Sequence, residues 1–267
     1  MPHLTVNGVR LFYEEAGGGS QTLVLVHGLM LASESWEAQR DYFSRTHRVI
    51  TFDLRGQGRS DKPRHGLDLD SLARDLEGLI EALDAGPCHL VGFSMGTFVA
   101  MRTAIHRPDL VSTLTLVGPS ADAEEPENLP RYRFLIAWVR LFGPHLLAGP
   151  LMRILFGDSY LRDPDRAAGR DRWKRYVQAL PRALYRAAAA SAGRASILLD
   201  LGRITAPTLV MSGEEDRPIS PARARKVQAT IPGARFLAFE KTGHAVMIEQ
   251  PVAFNTALDD FLRGQGA

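Results

Sequence analysis

The 267-residue sequence predicts an α/β protein with a mostly parallel, doubly wound sheet and one helical insertion. Two observations carry this prediction. Short, continuously apolar runs recur along the chain and alternate with segments of helical spacing, which is typical of parallel strands joined by crossover helices. The alternation then stops for about eighty residues, which have helical patterns and no strand pattern among them. We therefore expect a sheet covered by helices on both faces and interrupted once.

The first elements are predicted to form a β-hairpin, because apolar residues at 4–6 and 9–13 flank Asn7-Gly8, a pair that suits a two-residue turn. The other predicted strands are the apolar runs at 22–26, 49–52, 88–91, 114–117, 208–211 and 236–239. Helical spacing lies between most of them, at 70–83, 95–106, 221–231 and 251–262. Together these segments form the alternating part of the chain.

The interruption lies between about residues 122 and 204. Prolines and glycines divide it into four predicted helices, at 131–142, 147–156, 165–180 and 183–199. An insertion of this length is too long for a simple loop. Because α/β sheets place their sites at the carboxyl ends of the strands, we expect residues 122–204 to form a cap over that edge. Residues 1–121 and 205–267 would then form the core domain.

The apolar stretch at 134–142 is hydrophobic almost all round. This pattern predicts a cap helix packed on the core rather than a helix lying on a membrane surface. Some of its side chains are expected to line an apolar substrate pocket. Basic residues outnumber acidic ones between Arg131 and Arg194, and we interpret this excess as a solvated helical face.

The composition excludes several classes of partner and compartment. Basic and acidic residues nearly cancel, 32 against 30, so no global field favours nucleic acid or a membrane. The one cysteine, Cys88, rules out an intramolecular disulfide and is compatible with a reducing compartment. We find no basic leader followed by an apolar stretch, and no apolar run near the roughly 20 residues of a membrane span. The sequence thus predicts a cytoplasmic protein, and it does not indicate an oligomeric state.

A Gly-x-Ser-x-Gly pattern spans residues 92–96, directly after an apolar run and directly before a helical one. A serine hydroxyl is a poor nucleophile unless it is exposed, aimed and deprotonated by a neighbour. A sharp strand-to-helix turn exposes its apex residue but requires very small residues two positions before and after it. Gly92 and Gly96 meet this requirement, so Ser94 is the predicted nucleophile. A glycine-rich turn with an incidental serine is the alternative interpretation.

A nucleophilic serine needs a histidine base and a carboxylate that orients this base. His244 directly follows the last predicted strand, where a loop can reach the carboxyl edge of the sheet. Asp216 follows the strand at 208–211 at the same edge and is the predicted acid. The rival acid is Asp122, and an aspartate that merely bonds its own turn is the structural alternative for Asp216.

Acyl transfer also needs two N–H donors aimed at the charge that develops on the substrate carbonyl. One is predicted to be the N–H of Met95, at the start of a helix whose dipole adds positive potential. The other is predicted to be the N–H of Leu29, in the loop after the strand at 22–26. His27 lies in the same loop beside Gly28, and we expect it to shape the loop rather than act as the base.

With these residues in place, the chain resembles the capped, esterase-like α/β-hydrolases. This group includes enol-lactone hydrolases, carboxylesterases, epoxide hydrolases, haloalkane dehalogenases and meta-cleavage-product hydrolases. The order Ser94, Asp216, His244 matches the order of nucleophile, acid and base in such proteins. Matching segments cover most of the chain outside the predicted cap, at 27–28, 52–60, 92–96, 213–216, 243–244 and 249–251. The resemblance implies a small-molecule substrate, no metal or organic cofactor, and a structural turn without chemistry at 53–60.

The residues narrow the expected reaction. Serine at position 94 argues against epoxide hydrolases and dehalogenases, because their chemistry needs a carboxylate nucleophile. We expect hydrolysis of a carboxylic ester or lactone of small to medium size. The alternative is a C–C bond hydrolase of the meta-cleavage-product type, although the tryptophan that usually follows the histidine in that group is Ala245 here. A hydrolase-fold protein that binds a ligand without turnover is the alternative from a different class.

Overall fold

The computed structural model describes residues 2–264. The strands are β1 (His3–Val6), β2 (Val9–Ala16), β3 (Thr22–Val26), β4 (Arg48–Phe52), β5 (Cys88–Phe93), β6 (Val111–Val117), β7 (Thr208–Gly213) and β8 (Arg235–Phe239). They form one sheet in the order β1-β2-β4-β3-β5-β6-β7-β8. The pairs from β4 through β8 are parallel, whereas β1 and β2 add antiparallel strands at one edge. The mostly parallel sheet predicted from the sequence is thereby confirmed.

The helices are α1 (Glu37–Phe43), α2 (Leu69–Ala82), α3 (Met95–His106), α4 (Leu129–Phe142), α5 (Ala148–Leu155), α6 (Asp158–Arg162), α7 (Ala167–Gln178), α8 (Leu184–Ala192), α9 (Pro221–Thr230), α10 (Val246–Glu249) and α11 (Pro251–Arg263). Short 3₁₀ turns at Ser33–Trp36, Pro108–Leu110, His145–Leu147, Pro164–Arg166 and Leu198–Arg203 complete the described secondary structure. In residues 2–264, none of these helices combines the length and apolar character that crossing a bilayer requires.

The amino-terminal hairpin forms as predicted. Asn7 and Gly8 have φ of 49° and 71°, which is the backbone that a two-residue turn between twisted strands needs. Strand β2 runs on to Ala16, past the predicted end at residue 13, because its second half pairs antiparallel with β4.

Side chains of β3 alternate between two hydrophobic clusters, one on each face of the sheet. Val24 and Val26 pack in the cluster that holds the apolar faces of α2 and α3. Leu23 and Leu25 pack in the other cluster, with α1 and α11. Because successive strand residues point to opposite faces, a strand buried on both sides must be apolar throughout. This explains why the sequence pattern of β3 is a continuous run.

Between β6 and β7 the described chain contains α4 to α8 and no strand. The structure differs from the sequence expectation in detail. It adds α6, and it ends the last helix at Ala192 instead of residue 199, because Gly193 follows and the chain then forms a 3₁₀ turn. The short helices α1 and α10 also have no counterpart in the predicted set.

Helix α4 does not pack on the core as its apolar sequence predicts. Val139 is its one buried residue, and Phe134 and Leu141 are 62% and 61% exposed. The helix lies against α8, whose Ala189 and Ala192 help to line a groove of about 570 Å³ between the two helices. Small side chains on α8 cannot cover the large ones on α4, so much of the apolar surface stays accessible.

Candidate active site

Ser94 stands alone between the last residue of β5 and the first residue of α3. Its φ of 50° and ψ of −116° lie outside the backbone regions that residues with a side chain normally adopt. The residue is half-buried, whereas every residue of β5 before it is buried. This is the sharp strand-to-helix turn that the sequence pattern predicts.

The glycines on either side of Ser94 are required by close backbone contacts. A Cβ atom on Gly92 would lie 2.6 Å from the carbonyl oxygen of Gly96. A Cβ atom on Gly96 would lie 2.3 Å from the carbonyl oxygen of Val26. Since the clashing atoms belong to the backbone, no side-chain rotation can relieve them. The turn therefore accepts only glycine at both positions.

His244 and Asp216 form a buried hydrogen-bonded pair. His244 Nδ1 lies 2.6 Å from Asp216 Oδ2, and the side chains are 4% and 0% exposed. The N–H of Ile219 donates to the other carboxylate oxygen at 2.9 Å. An ionised carboxylate can only accept, so Nδ1 carries the proton of the pair and Nε2 is left free to accept. The pair therefore has the arrangement expected of an oriented general base.

The pair lies beside the serine turn. The rings of His244 and Phe93, the residue before Ser94, have centroids 4.7 Å apart. Gly118, just past the end of β6, has φ of 58°, and a Cβ there would lie 2.9 Å from His244 Cε1 and 3.2 Å from Asp216 Oδ2. Within residues 2–264 no hydrogen bond joins Ser94 Oγ to the imidazole. Such bonds are commonly long until substrate binds.

The rival acid, Asp122, is engaged elsewhere. Its two carboxylate oxygens accept hydrogen bonds from Lys226 Nζ at 2.9 and 3.0 Å. The carboxylate hydrogen-bonded to His244 is that of Asp216. Chain order alone does not separate the two aspartates, because both follow core strands at the same edge of the sheet.

The loop after β3 packs directly on the serine turn. A Cβ on Gly28 would lie 2.8 Å from Phe93 Cδ1 and 3.0 Å from Ser94 Cβ. In the described part of the chain, the N–H groups of Leu29 and Met95 donate to no protein acceptor. Unpaired backbone donors beside an accessible serine are what an oxyanion hole requires. The structure thus brings the loop and the start of α3 together.

His27 has a structural role in this loop. It is fully buried, its Nδ1 lies 2.8 Å from the carbonyl oxygen of Gly28, and its Nε2 accepts a hydrogen bond from the N–H of Leu54 at 2.9 Å. Burial also lowers the pKa of His27, so the ring stays neutral. Both nitrogens are occupied by the backbone, as a loop-shaping residue requires, and neither is available as a base.

Gln57 supports the same loop, although its segment is predicted to be a structural turn without chemistry. Its Oε1 accepts a hydrogen bond from the N–H of Met30 at 2.9 Å, and Met30 has φ of 68°. The side chain is buried, so this contact holds the residue after Leu29 in a left-handed conformation. Nothing in the local sequence indicates the contact, because residues 30 and 57 meet only in the folded chain.

Asp53 in the same segment forms the turn itself. Its carboxylate accepts hydrogen bonds from the N–H and hydroxyl of Ser33 at 2.8 and 2.7 Å, and from the N–H of Arg59 at 2.7 Å. Burial acts to raise the pKa of Asp53, but the nearby His27 ring, followed by the hydrogen bonds from Arg59 and Ser33, holds this pKa below its usual range. All of its hydrogen bonds serve the fold.

Comparisons with known proteins agree on the fold. A family model described as alpha/beta hydrolase fold matches residues 21–251. A thermophilic esterase from Thermogutta terrifontis superposes over all of both chains with a TM-score of 0.91 and 28% identity. The enol-lactonase from Burkholderia xenovorans LB400 superposes over 98% of this chain and all of its own, with a TM-score of 0.90 and 26% identity.

Sequence relatives carry several activities in their names. A 2-hydroxy-6-oxononadienedioate/2-hydroxy-6-oxononatrienedioate hydrolase from Cupriavidus pinatubonensis is 28% identical over 95% of this chain and 90% of its own length. The chain spans about two-thirds of the length of the first curated relatives that it matches, 68% and 66%. At these identities the relatives support the fold, and their names do not agree on one reaction.

Proposed function

The chain belongs to the α/β-hydrolase fold family, and we propose that it is a serine hydrolase that cleaves a carboxylic ester or lactone of small to medium size. One observation carries the proposal: the strained Ser94 turn lies beside a buried histidine that is hydrogen-bonded to Asp216 at 2.6 Å. The similarity to an esterase and an enol-lactonase over nearly the whole chain supports the class of substrate. We assign Ser94, Asp216 and His244 as the catalytic residues.

In this proposal Ser94 Oγ attacks the substrate carbonyl while His244 Nε2 takes the hydroxyl proton. The C–O bond to the leaving alcohol then breaks, and the imidazolium returns the proton to the alcohol oxygen. Asp216 holds the imidazole through Nδ1 and stabilises its charged form. The acyl group is left on Ser94 as an ester.

Water completes the cycle by the same route. His244 removes a proton from a water molecule, which attacks the acyl carbonyl. The bond between the acyl carbon and Ser94 Oγ then breaks, and the imidazolium returns its proton to Oγ. The N–H groups of Leu29 and Met95 are the proposed donors to the oxyanion in both halves. We expect the reaction to need no metal or organic cofactor. Activity should fall in acid, because a protonated His244 cannot accept the serine proton.

We also propose that residues 122–204 form a cap over this site, inserted into the core of 1–121 and 205–267. Contacts of the segment with the core support this assignment. The carbonyl oxygen of Leu155 accepts a hydrogen bond from the N–H of Ala245, the residue after His244, at 2.9 Å. Val177 of α7 is fully buried in the same cluster as Met30 of the proposed oxyanion loop. Cap side chains would then determine which acyl groups fit.

The second candidate is a C–C bond hydrolase that uses the same three residues. The Cupriavidus pinatubonensis relative favours it by name, and the expected reaction would begin at a vinylogous diketone. Ala245 after the histidine, where tryptophan is usual in that group, weighs against it. A hydrolase-fold protein that binds a small ligand without turnover is the third candidate. The full set of polar groups around Ser94 weighs against a purely binding role.

Steady-state turnover separates these candidates. We expect wild-type protein to hydrolyse p-nitrophenyl esters, with a preferred length in a graded acyl series, and Ser94→Ala to lose nearly all of this activity. Lactones and a ring-fission diketone in the same panel distinguish ester from C–C cleavage. Retention of most activity by folded Ser94→Ala would exclude Ser94 as the nucleophile. Tight binding of a small ligand with no turnover of any substrate would favour the binding protein.

A further inference from the structure

Glu249 is a buried carboxylate next to the proposed base. The residue is 2% exposed, and its Oε2 accepts two backbone hydrogen bonds, from Gly243 at 3.0 Å and from Gly157 at 3.2 Å. Its Oε1 is also buried and has no partner among the described residues. A buried carboxylate with hydrogen-bond donors at only one of its two oxygens lowers the stability of the fold. We therefore look for a role of Glu249 other than stabilisation.

The two N–H groups belong to different parts of the molecule. Gly243 is the residue before His244, whereas Gly157 lies between α5 and α6 in the segment proposed as the cap. The two backbones touch, because a Cβ on Gly243 would lie 2.0 Å from the nitrogen of Gly157. Glu249 therefore joins the histidine loop to the helical segment at a place where their backbones are in contact.

A second acidic residue strengthens this junction from the side of Asp216. Glu215 accepts a hydrogen bond from the N–H of Ser159 at 2.8 Å, two residues after Gly157. The N–H of Glu215 in turn donates to the carbonyl oxygen of Thr242 at 2.8 Å. The loops that carry the acid and the base thus contact each other and the same turn of the helical segment.

We propose that Glu249 is a positioning residue for His244: its carboxylate holds Gly243 against Gly157 and thereby keeps the imidazole aligned with Asp216 and Ser94. The inference rests on the proposed function, since it assigns a role to Glu249 in the action of the base. It adds a specific prediction, that the position and the charge of this carboxylate both influence turnover.

The charge matters because of the groups around it. Burial raises the pKa of Glu249 to about 7, and the negative charge of Glu215 acts in the same direction. The hydrogen bonds from Gly243 and Gly157, together with His244, oppose this rise. Tyr160 of α6 also faces Glu249: burial raises the pKa of its hydroxyl, and the charge of Glu249 adds to this rise. An ionised Glu249 favours the protonated form of His244, which is the form that develops during acyl transfer.

Two substitutions separate position from charge. In Glu249→Gln the amide oxygen can accept both backbone hydrogen bonds, but the charge is gone. In Glu249→Leu both N–H groups lose their acceptor and the loop is free to shift. The readouts are kcat and KM for a p-nitrophenyl ester, and the rate at which a fluorophosphonate probe labels Ser94, which needs no knowledge of the natural substrate.

We expect Glu249→Leu to lower kcat and the labelling rate about 10- to 100-fold with little change in KM, because sub-ångström misplacement of a reacting group has effects of this size. At pH 8 the kcat of Glu249→Gln should stay within about 3-fold of the wild-type value, because both backbone hydrogen bonds are retained. The ratio of kcat in Glu249→Gln to kcat in the wild type should be lower at pH 8 than at pH 6, because a carboxyl with a pKa of about 7 carries its charge mainly at the higher pH. Partial rescue by glutamine and a ratio that changes with pH are effects that a purely structural residue would not produce.

Glu240→Gln is the matched control, because it removes an exposed carboxylate from the same loop and should leave kcat unchanged at both pH values. Circular dichroism and thermal unfolding establish that each variant is folded. A folded Glu249→Leu with wild-type kcat and labelling rate, or a ratio of kcat in Glu249→Gln to kcat in the wild type that is the same at pH 6 and pH 8, would overturn the inference. Neither result bears on the proposed function. The proposed function is wrong only if Ser94→Ala remains active or the wild type turns over no substrate.

Discussion

Substitution of Gly28 by alanine tests the contact between the proposed oxyanion loop and the serine turn. The new Cβ would lie 2.8 Å from Phe93 Cδ1 and 3.0 Å from Ser94 Cβ, whereas ordinary contact begins at 3.4 Å. Phe93 must therefore retreat by about 0.6 Å and Ser94 by about 0.4 Å, or the loop must lift by a similar distance. Either movement would separate the Leu29 N–H from the position that we propose for the oxyanion.

The expected result is a loss of catalysis that exceeds the loss of stability. A shift of about half an ångström at the reacting groups should lower kcat about 10- to 100-fold. Overpacking of this kind typically costs about 1–3 kcal/mol of unfolding free energy. We expect a cost in this range because the Phe93 ring is a side chain and can move away from the new Cβ. The assays are p-nitrophenyl ester turnover, fluorophosphonate labelling of Ser94, and urea unfolding. KM should change little, because donation to the oxyanion is realised mainly in the transition state.

Gly149→Ala is the matched control, because a Cβ there meets nothing within 4 Å. That variant should keep wild-type kcat and lose no stability, as alanine is the better helix former. Wild-type labelling and turnover in folded Gly28→Ala would contradict this prediction, since the loop would then not be coupled to the serine turn. A collapse of stability without a change in specific activity would refute it equally.

Three further predictions address the acid and the buried carboxylate. Asp216→Asn should lower kcat about 10³- to 10⁴-fold, because an amide neither fixes the imidazole tautomer nor stabilises the imidazolium; ester turnover measures this. Asp122→Asn should leave kcat unchanged and cost less than about 1 kcal/mol in urea unfolding, because its ion pair with Lys226 is partly exposed to solvent; a large loss of kcat would reinstate it as the acid. The raised pKa of Glu249 means that its contribution to stability is present in acid and is lost as pH rises from about 4.5 to about 7. The unfolding free energy of Glu249→Gln relative to wild type should therefore increase between pH 5 and pH 8, by up to about 3 kcal/mol; no change with pH would show that the carboxylate does not titrate in this range.

The fold was accessible from sequence because its signals are local. Continuous apolar runs identify strands buried on both faces, and a helix such as α3, Met95–His106, was predicted to the residue. The short helices α1 and α10 were missed because four to seven residues give too little periodicity. The exposed apolar face of α4 was missed for a different reason. The sequence of α4 shows that its side chains are apolar. Whether these side chains are buried depends on the size of the residues that face them on α8.

Sequence alone determined the chemistry available at the carboxyl edge of the sheet. The glycines around Ser94 permit the sharp turn because they have no side chain. The order of the proposed acid and base along the chain follows the order of the strands that precede them. Tertiary structure decided which groups meet there. Hydrogen bonds between residues far apart in the chain select Asp216 over Asp122, bring Gln57 to the loop of Leu29, and place Glu249 between Gly243 and Gly157. Such contacts depend on the distance between atoms in the folded chain, which a local pattern of residue types does not contain.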